Sequence, residues 1–406
     1  MKFERYIFIV LVAVFASCAL KVEPKRIVIW HQMRVDERVI LEEQMKKYME
    51  IHPDIRLEAI YKETEELRSG FIIAAIAGQG PDLVYGPSDQ IGPFQVMNII
   101  QPMESLFDTA WLNSFTPKAL TWYKGHLLQV ADKLGNHLTL VYNKQFVKTP
   151  PQTDEELIAL AESLTVYKNG NPERYGLVWN YTEPFFFIPF MSGFGGWVMD
   201  DNGNPTLDNQ GMIDGLKFIR DLRDKYKVIP KEADYNIADA LFKDGKAAMI
   251  INGDWSWSGY RKAGIDIGVA PLPKIVKTGL WCAPMISPKG FSINKNVTNE
   301  KMPLIVDVLK FLLSPENELE TAKVLNTMPT RISLYSDPFI MNDDILKNSR
   351  LQIERGRPMP VVPELRAIWD AMRPNYQAVL GGTKTPEQAA KDMESLAKQK
   401  ILEMNE

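Results

Sequence analysis

Carboxylates set among aromatic rings recur along the chain. Residues 181–187 read Tyr-Thr-Glu-Pro-Phe-Phe-Phe, with Glu183 at the centre and Phe185 two places on. Residues 252–257 read Asn-Gly-Asp-Trp-Ser-Trp, which puts two indoles, Trp255 and Trp257, beside Asp254. Trp369 and Arg373 are four apart, the spacing of neighbours on one helix face. Residues 80–89 end a strand-like run in a loop that carries the free carboxylate of Asp89. A pyranose offers an apolar C–H face that stacks on a ring. Its hydroxyls pair with carboxylates, amides and guanidinium groups, whose charged hydrogen bonds are the stronger ones. These residue types together therefore suit carbohydrate recognition. Glu183 and Trp255 read as functional, because an acid flanked by aromatics is costly to bury without a partner. Trp257, Phe186 and Phe187 read first as core, with Trp257 kept among the binding candidates.

Other chemistries find no support. There is no phosphate-cradling G-x-x-x-x-G-K-[ST] loop, no G-x-S-x-G elbow, no H-E-x-x-H and no C-x-x-C. The glycine-rich stretch Gly193-Phe194-Gly195-Gly196 does not open a helix in dinucleotide-binding spacing. His31, His52, His126 and His137 are scattered, and nothing assembles a nucleophile with its base. Neither a cofactor nor a metal is expected. A formal charge of −4 leaves no basic footprint for nucleic acid.

The elements that must position these side chains alternate in type. Residues 26–30 form a continuous apolar run, read as a buried strand. The apolar residues of 36–52 share one helix face, 55–61 alternate as a strand, and 64–77 form a second helix stopped by Gly78-Gln79-Gly80-Pro81. A third strand at 82–85 completes the pattern of a parallel sheet with crossover helices. The alternation resumes with strands at 138–142, 177–180 and 247–251, and helices at 154–164, 210–227, 238–243, 301–313, 315–325 and 386–402. The fold class is α/β. At 406 residues the chain is long enough for two or three domains. Most of the aromatic and acidic groups fall just past strand ends, where open α/β sheets bind ligands.

The N-terminus reads as an address. Lys2 and Arg5 precede an apolar run over residues 6–16, far short of the roughly 20 residues that span a bilayer. The run ends in Phe15-Ala16-Ser17-Cys18, which resembles the lipobox of bacterial lipoproteins, with Phe15 in place of the usual Leu. Cys18 would then become the lipidated first residue, and residues 21–25 a short polar tether. Ordinary cleavage nearby is the alternative, since Ser17-Cys18-Ala19 fits a small-x-small site. With Cys18 consumed, Cys282 is the single remaining thiol and no internal disulfide forms.

Over essentially the whole mature chain the sequence resembles the extracellular solute-binding proteins of sugar ABC importers, in particular the maltose-binding-like family. The resemblance rests on residues 26–30, on Gly80-Pro81-Asp82 with Asp89, on Val141-Tyr142-Asn143-Lys144, on residues 240–255 and on Met359-Pro360 through Trp369 to Arg373. It implies that Asp89 contacts sugar hydroxyls, that Glu183 and Phe185 take the place of the family's Glu-Pro-Tyr contact, that Trp255 and Trp369 are stacking platforms, and that Arg373 is the polar partner of the second. Asn136, Gln90 and Gly86 stand where maltose-binding members carry an acid, an Arg and a Trp. Gln32 and Arg34 follow the first strand in place of an acid–Lys pair. A first lobe altered in this way keeps the sugar and puts maltose itself in question.

The implied fold is a type II periplasmic-binding-protein fold with two discontinuous α/β lobes. Residues 25–135 with 288–333 would make the first lobe, and 136–287 with 334–406 the second. Crossings at 135–138 and 284–289 and near 330–334 would form the hinge. The expected action is closure around a sugar, then delivery to ABC permease subunits by a monomer held outside the cytoplasm on a lipid anchor. The rivals are a ligand sensor for a receptor, a binder of peptides or polyamines, and a secreted glycoside hydrolase drawing an acid pair from Glu183, Asp254, Asp132 and Asp89.

Overall fold

In the computed structural model, which describes residues 25–405, Ile27 and Ile29 alternate with more exposed neighbours along strand Lys25–His31 and are fully buried. This strand pairs in parallel with Ile55–Tyr61 on one side and Leu83–Pro87 on the other. Helices Val35–Ile51 and Thr64–Ile76 make the crossovers that parallel pairing requires. Beyond Leu83–Pro87 the sheet turns antiparallel. Lys289–Ile293 lies between Leu83–Pro87 and His126–Leu134, and Met328–Pro329 closes that edge. The local alternation near the N-terminus predicts only the parallel part, because the antiparallel strands arrive from distant segments that enter or leave through the hinge.

The second sheet runs Ile267–Ala270, Leu138–Asn143, Ala247–Gly253, Asn171–Trp179 and Val166–Lys168. Every residue of Ala247–Gly253 is buried, as suits a central strand covered on both faces. One apolar core surrounds this sheet, and the first sheet has two, a larger one and a smaller one around Leu67, Phe71, Val84, Phe94 and Leu128. Two mixed sheets, each packed in its own lobe, make the two-lobed type II binding-protein architecture. Helix Asp344–Arg355 spans the junction: Leu346 and Ile353 pack into the first core, while Gln352 accepts a hydrogen bond from Leu272 N–H (2.6 Å) of the second lobe.

The crossings have their own local chemistry. Gly135 (φ 153°) and Asn136 (φ 48°) take positive φ in succession, and a Cβ on Gly135 would overlap the Asp254 carboxylate. Ser287 N–H donates to Gly135 O (3.2 Å), which ties two crossings together, and Ser287 and Ser88 hydroxyls meet at 3.0 Å. Thr330, fully buried, donates to Glu318 through both its N–H (2.7 Å) and its hydroxyl (2.6 Å). No helix among the described residues is long and apolar enough to cross a membrane. The proposed export signal, including Cys18, lies outside the described residues.

Candidate binding cleft

Strand ends from both lobes converge on one cleft of about 380 Å³. Lys25–His31 runs out into Gln32 and Arg34, Leu83–Pro87 into Asp89, and His126–Leu134 into Asn136. From the second lobe, Asn171–Trp179 runs out into Asn180 and Glu183, and Ala247–Gly253 into Trp255. Helix Glu364–Leu380 adds Trp369 and Arg373. Nine of the ten expected ligand-binding residues thus line one cavity.

Trp257 is the exception. It is fully buried, packs edge to face on His137 with centroids 6.0 Å apart, and belongs to the second core. The two indoles diverge because residue 255 sits in the turn Asp254–Ser256, open to the cleft, whereas residue 257 begins the helix Trp257–Lys262 and turns inward. Phe187 is also core, while Phe186, 6% exposed, touches the cleft wall. Two further acids considered for catalysis lie off the cleft wall: Asp132 accepts a hydrogen bond from the Tyr85 hydroxyl (2.8 Å), and Asp254 is 4% exposed behind the hinge.

The second-lobe wall is aromatic. Trp255 donates its indole N–H to the Tyr235 hydroxyl (3.1 Å) and lies 6.4 Å from the Phe185 ring. The absence of a side chain at Gly253 lets the indole lie on the backbone, since a Cβ there would overlap the ring. Glu183 stands at the N-cap position of helix Pro184–Gly193, its side chain making no capping bond and instead holding Arg373 in a forked pair with three N–O distances of 3.1 Å. That fork fixes both groups in one plane. The two residues lie 190 apart in the chain, and no spacing signals their pairing.

The first-lobe wall is polar and incompletely satisfied. Asp89 pairs with Arg68 (3.2 Å) through one oxygen, while its Oδ1, Arg68 Nε and Gln32 Oε1 are buried with no hydrogen-bond partner among the described residues. Burial pushes the Asp89 carboxyl up, against the pull of Arg68. Unpartnered buried polar atoms carry a desolvation cost. Gly86 and Gln90, which differ from maltose-binding members, lie off the cleft wall. The Gln90 amide fills the space over Gly86, so the two departures answer one another.

Arg68, Tyr235, Lys289, Arg366 and Glu65 also line the cleft and were not anticipated. Arg68 has a sequence signal: it follows Glu65 by three on a helix whose next turns are apolar. The lobes touch at several of these residues. Arg34 lies over the Tyr235 ring (5.0 Å), Arg366 pairs with Glu65 (3.2 Å), and Ser258 donates to Asp36 (2.7 Å).

Beneath the cleft sits a buried charge cluster. Glu37, at the third position of helix Val35–Ile51, accepts from Arg34 N–H (2.8 Å) and faces Lys133 (3.0 Å) and Lys289 (3.7 Å). Burial works to raise the Glu37 carboxyl, and the two ammonium groups overcome it, holding it down at about 2. Nearby Asp254 goes the other way: burial, only partly offset by Lys289, lifts its carboxyl to about 6. A raised carboxyl stabilises the fold most when protonated, and that stability is lost as pH rises from about 4 through 6. Asp254→Asn is therefore expected to melt together with the wild type near pH 4 and above it near pH 7. The gap corresponds to roughly 3 kcal/mol, and thermal melts of both proteins across that range measure it.

A family model for bacterial extracellular solute-binding proteins matches residues 43–348. The chain is 30% identical over 378 residues to a maltotriose-binding protein of Pyrococcus abyssi, covering 92% of this chain and 80% of that protein. It is 25% identical over 336 residues to a maltooligosaccharide ABC transporter solute-binding lipoprotein of Streptococcus pneumoniae, covering 80% of this chain and 77% of the other. Among solved structures, the maltose/maltodextrin-binding domain from Bdellovibrio bacteriovorus, bound to maltotriose, superposes with a TM-score of 0.89 at 44% identity, covering 93% of this chain and 99% of that one. Proteins of this kind bind solutes outside the cytoplasm and are not enzymes. The chain belongs to the bacterial extracellular solute-binding protein family.

Proposed function

We propose that the protein binds a maltodextrin-class oligosaccharide between its lobes and delivers it to the membrane subunits of an ABC importer. One observation carries the reading: a single cleft opposes aromatic faces on one lobe (Trp255, Trp369, Phe185) to unpartnered polar atoms on the other (Gln32 Oε1, Asp89 Oδ1). Sugar rings match both surfaces at once. The lobes are taken as 25–135 with 288–333 and 136–287 with 334–406, helix Asp344–Arg355 lying at their junction. Ligand favours closure by the amount that it binds the closed arrangement better than the open one. The ligand contacts assigned are Gln32, Arg34, Asp89, Asn136, Glu183, Phe185, Trp255, Trp369 and Arg373.

We further infer that the protein acts as a monomer tethered to the membrane through lipidated Cys18; the lipoprotein among its relatives supports the tether. A mass increase of diacylglycerol size on the mature N-terminal peptide tests it, and an unmodified N-terminus elsewhere overturns it. For the ligand, thermal-shift titration of the mature protein against maltodextrins, galactooligosaccharides, peptides and polyamines is the test. Maltodextrins are expected to raise the melting temperature in a saturable way. A response to peptides or polyamines alone would overturn the sugar reading.

A further inference from the structure

The sugar cleft has a neighbour of opposite character. A second cavity, of about 460 Å³, shares Glu65, Arg68, Asp89, Arg366 and Trp369 with the cleft. Beyond that shared wall its lining is almost entirely apolar: Ile72, Pro93, Val96 and Met97 from the first lobe face Leu365 and Met404 from the second. Ser69 is the one polar residue outside the shared wall and among those lining it. Another sugar ring would bury hydroxyls there against carbon, which is unfavourable. An alkyl or aryl group suits the same walls.

The partition is ionic and partly exposed. Arg68 holds Asp89 at 3.2 Å with side chains 16% and 15% exposed, whereas Arg366 and Glu65 meet at 3.2 Å across the lobes with side chains 39% and 57% exposed. An exposed pair of this sort parts at small cost. Asp89 and Arg68 line both cavities at this junction, and Asp89 Oδ1 and Arg68 Nε have no hydrogen-bond partner among the described residues.

We propose that this chamber is a subsite for an apolar aglycone, so that the protein accepts sugars carrying an alkyl or aryl group as well as free oligosaccharides. The inference rests on the sugar reading and extends it to ligand class. The two lobes each supply part of the chamber, so filling it adds to the preference for the closed arrangement.

Isothermal titration with maltose, maltotriose and hexyl maltoside, the last below its micelle concentration, tests the assignment. Each buried methylene is worth about a threefold gain or more, so hexyl maltoside is expected to bind at least tenfold more tightly than maltose. Met97→Glu puts a charge in the chamber wall at a side chain 46% exposed and away from the sugar contacts. It should remove that gain and leave maltose affinity within twofold. Binding of maltose or maltotriose with no advantage for hexyl maltoside would overturn the subsite and leave the sugar reading standing. An advantage that survives Met97→Glu would also overturn it. Failure of all three sugars to bind would overturn both.

Discussion

Replacing Trp255 with alanine is expected to weaken sugar binding about a hundredfold, equivalent to about 2.7 kcal/mol, while leaving the fold intact. The indole is fixed before ligand arrives: its N–H is held by Tyr235, its face lies on the backbone at Gly253, and Phe185 flanks it. Lys289 Nζ stands 5.4 Å from the ring centroid, adding charge to the same wall. A platform held in this way loses little entropy on binding, which is why single aromatic anchors dominate such sites. Trp257→Ala is the matching control. That side chain is fully buried in the second core, so its loss should cost about 3–5 kcal/mol of stability and leave the affinity of the folded fraction nearly unchanged. Calorimetric titration and thermal melts of the two variants separate the roles. An affinity within threefold of wild type in Trp255→Ala would remove the stacking assignment.

Glu37→Ala is expected to damage stability as much as Trp257→Ala does, by about 3–5 kcal/mol near pH 7. Lys133 is 3% exposed, and without Glu37 the carboxylate left to its ammonium among the described residues is Asp132, at 3.7 Å. Arg34 N–H loses its acceptor at the same time, so the cleft floor loosens where Arg34 and Lys289 enter it. The pH dependence has a definite sign. A carboxyl held at about 2 stabilises the fold above its ordinary value of 4.5, and that contribution is lost as pH falls from 4.5 towards 2. The gap between wild type and Glu37→Ala in denaturant midpoint should therefore be widest near pH 7 and narrow by about pH 3. A gap that stays constant over that range would show that the charge on Glu37 is not what stabilises the cluster.

Much of this architecture is readable from local pattern. The strand at 26–30, the helix at 64–77 and the strand at 247–251 each carry their own periodicity, and they appear as Lys25–His31, Thr64–Ile76 and Ala247–Gly253. What the pattern hides depends on contacts between residues far apart. His126–Leu134 and Lys289–Ile293 are sheet partners only because the chain leaves and re-enters the lobe, and no nearby residue signals that pairing. Helix Pro184–Gly193 is apolar all round, so it shows no amphipathic stripe. The cleft is legible where a residue type announces its chemistry beside a strand end, as Trp255 and Asp89 do. It is illegible where the role comes from a partner. Arg373 gains its orientation from Glu183, and Lys289 its place from Glu37; neither pairing leaves a trace in spacing. Trp257 misleads because two positions along a turn are enough to reverse which side an indole faces.

One sugar chain is expected to lie between an aromatic wall and a polar wall drawn from different lobes. A crystal structure of the mature protein with maltotriose measures this directly. Sugar rings are expected to stack on the indoles of Trp255 and Trp369, with hydroxyls within hydrogen-bond distance of Asp89 Oδ1 and Gln32 Oε1. Sugar density elsewhere on the protein, or a cleft that stays free of it at saturating maltotriose, would contradict it.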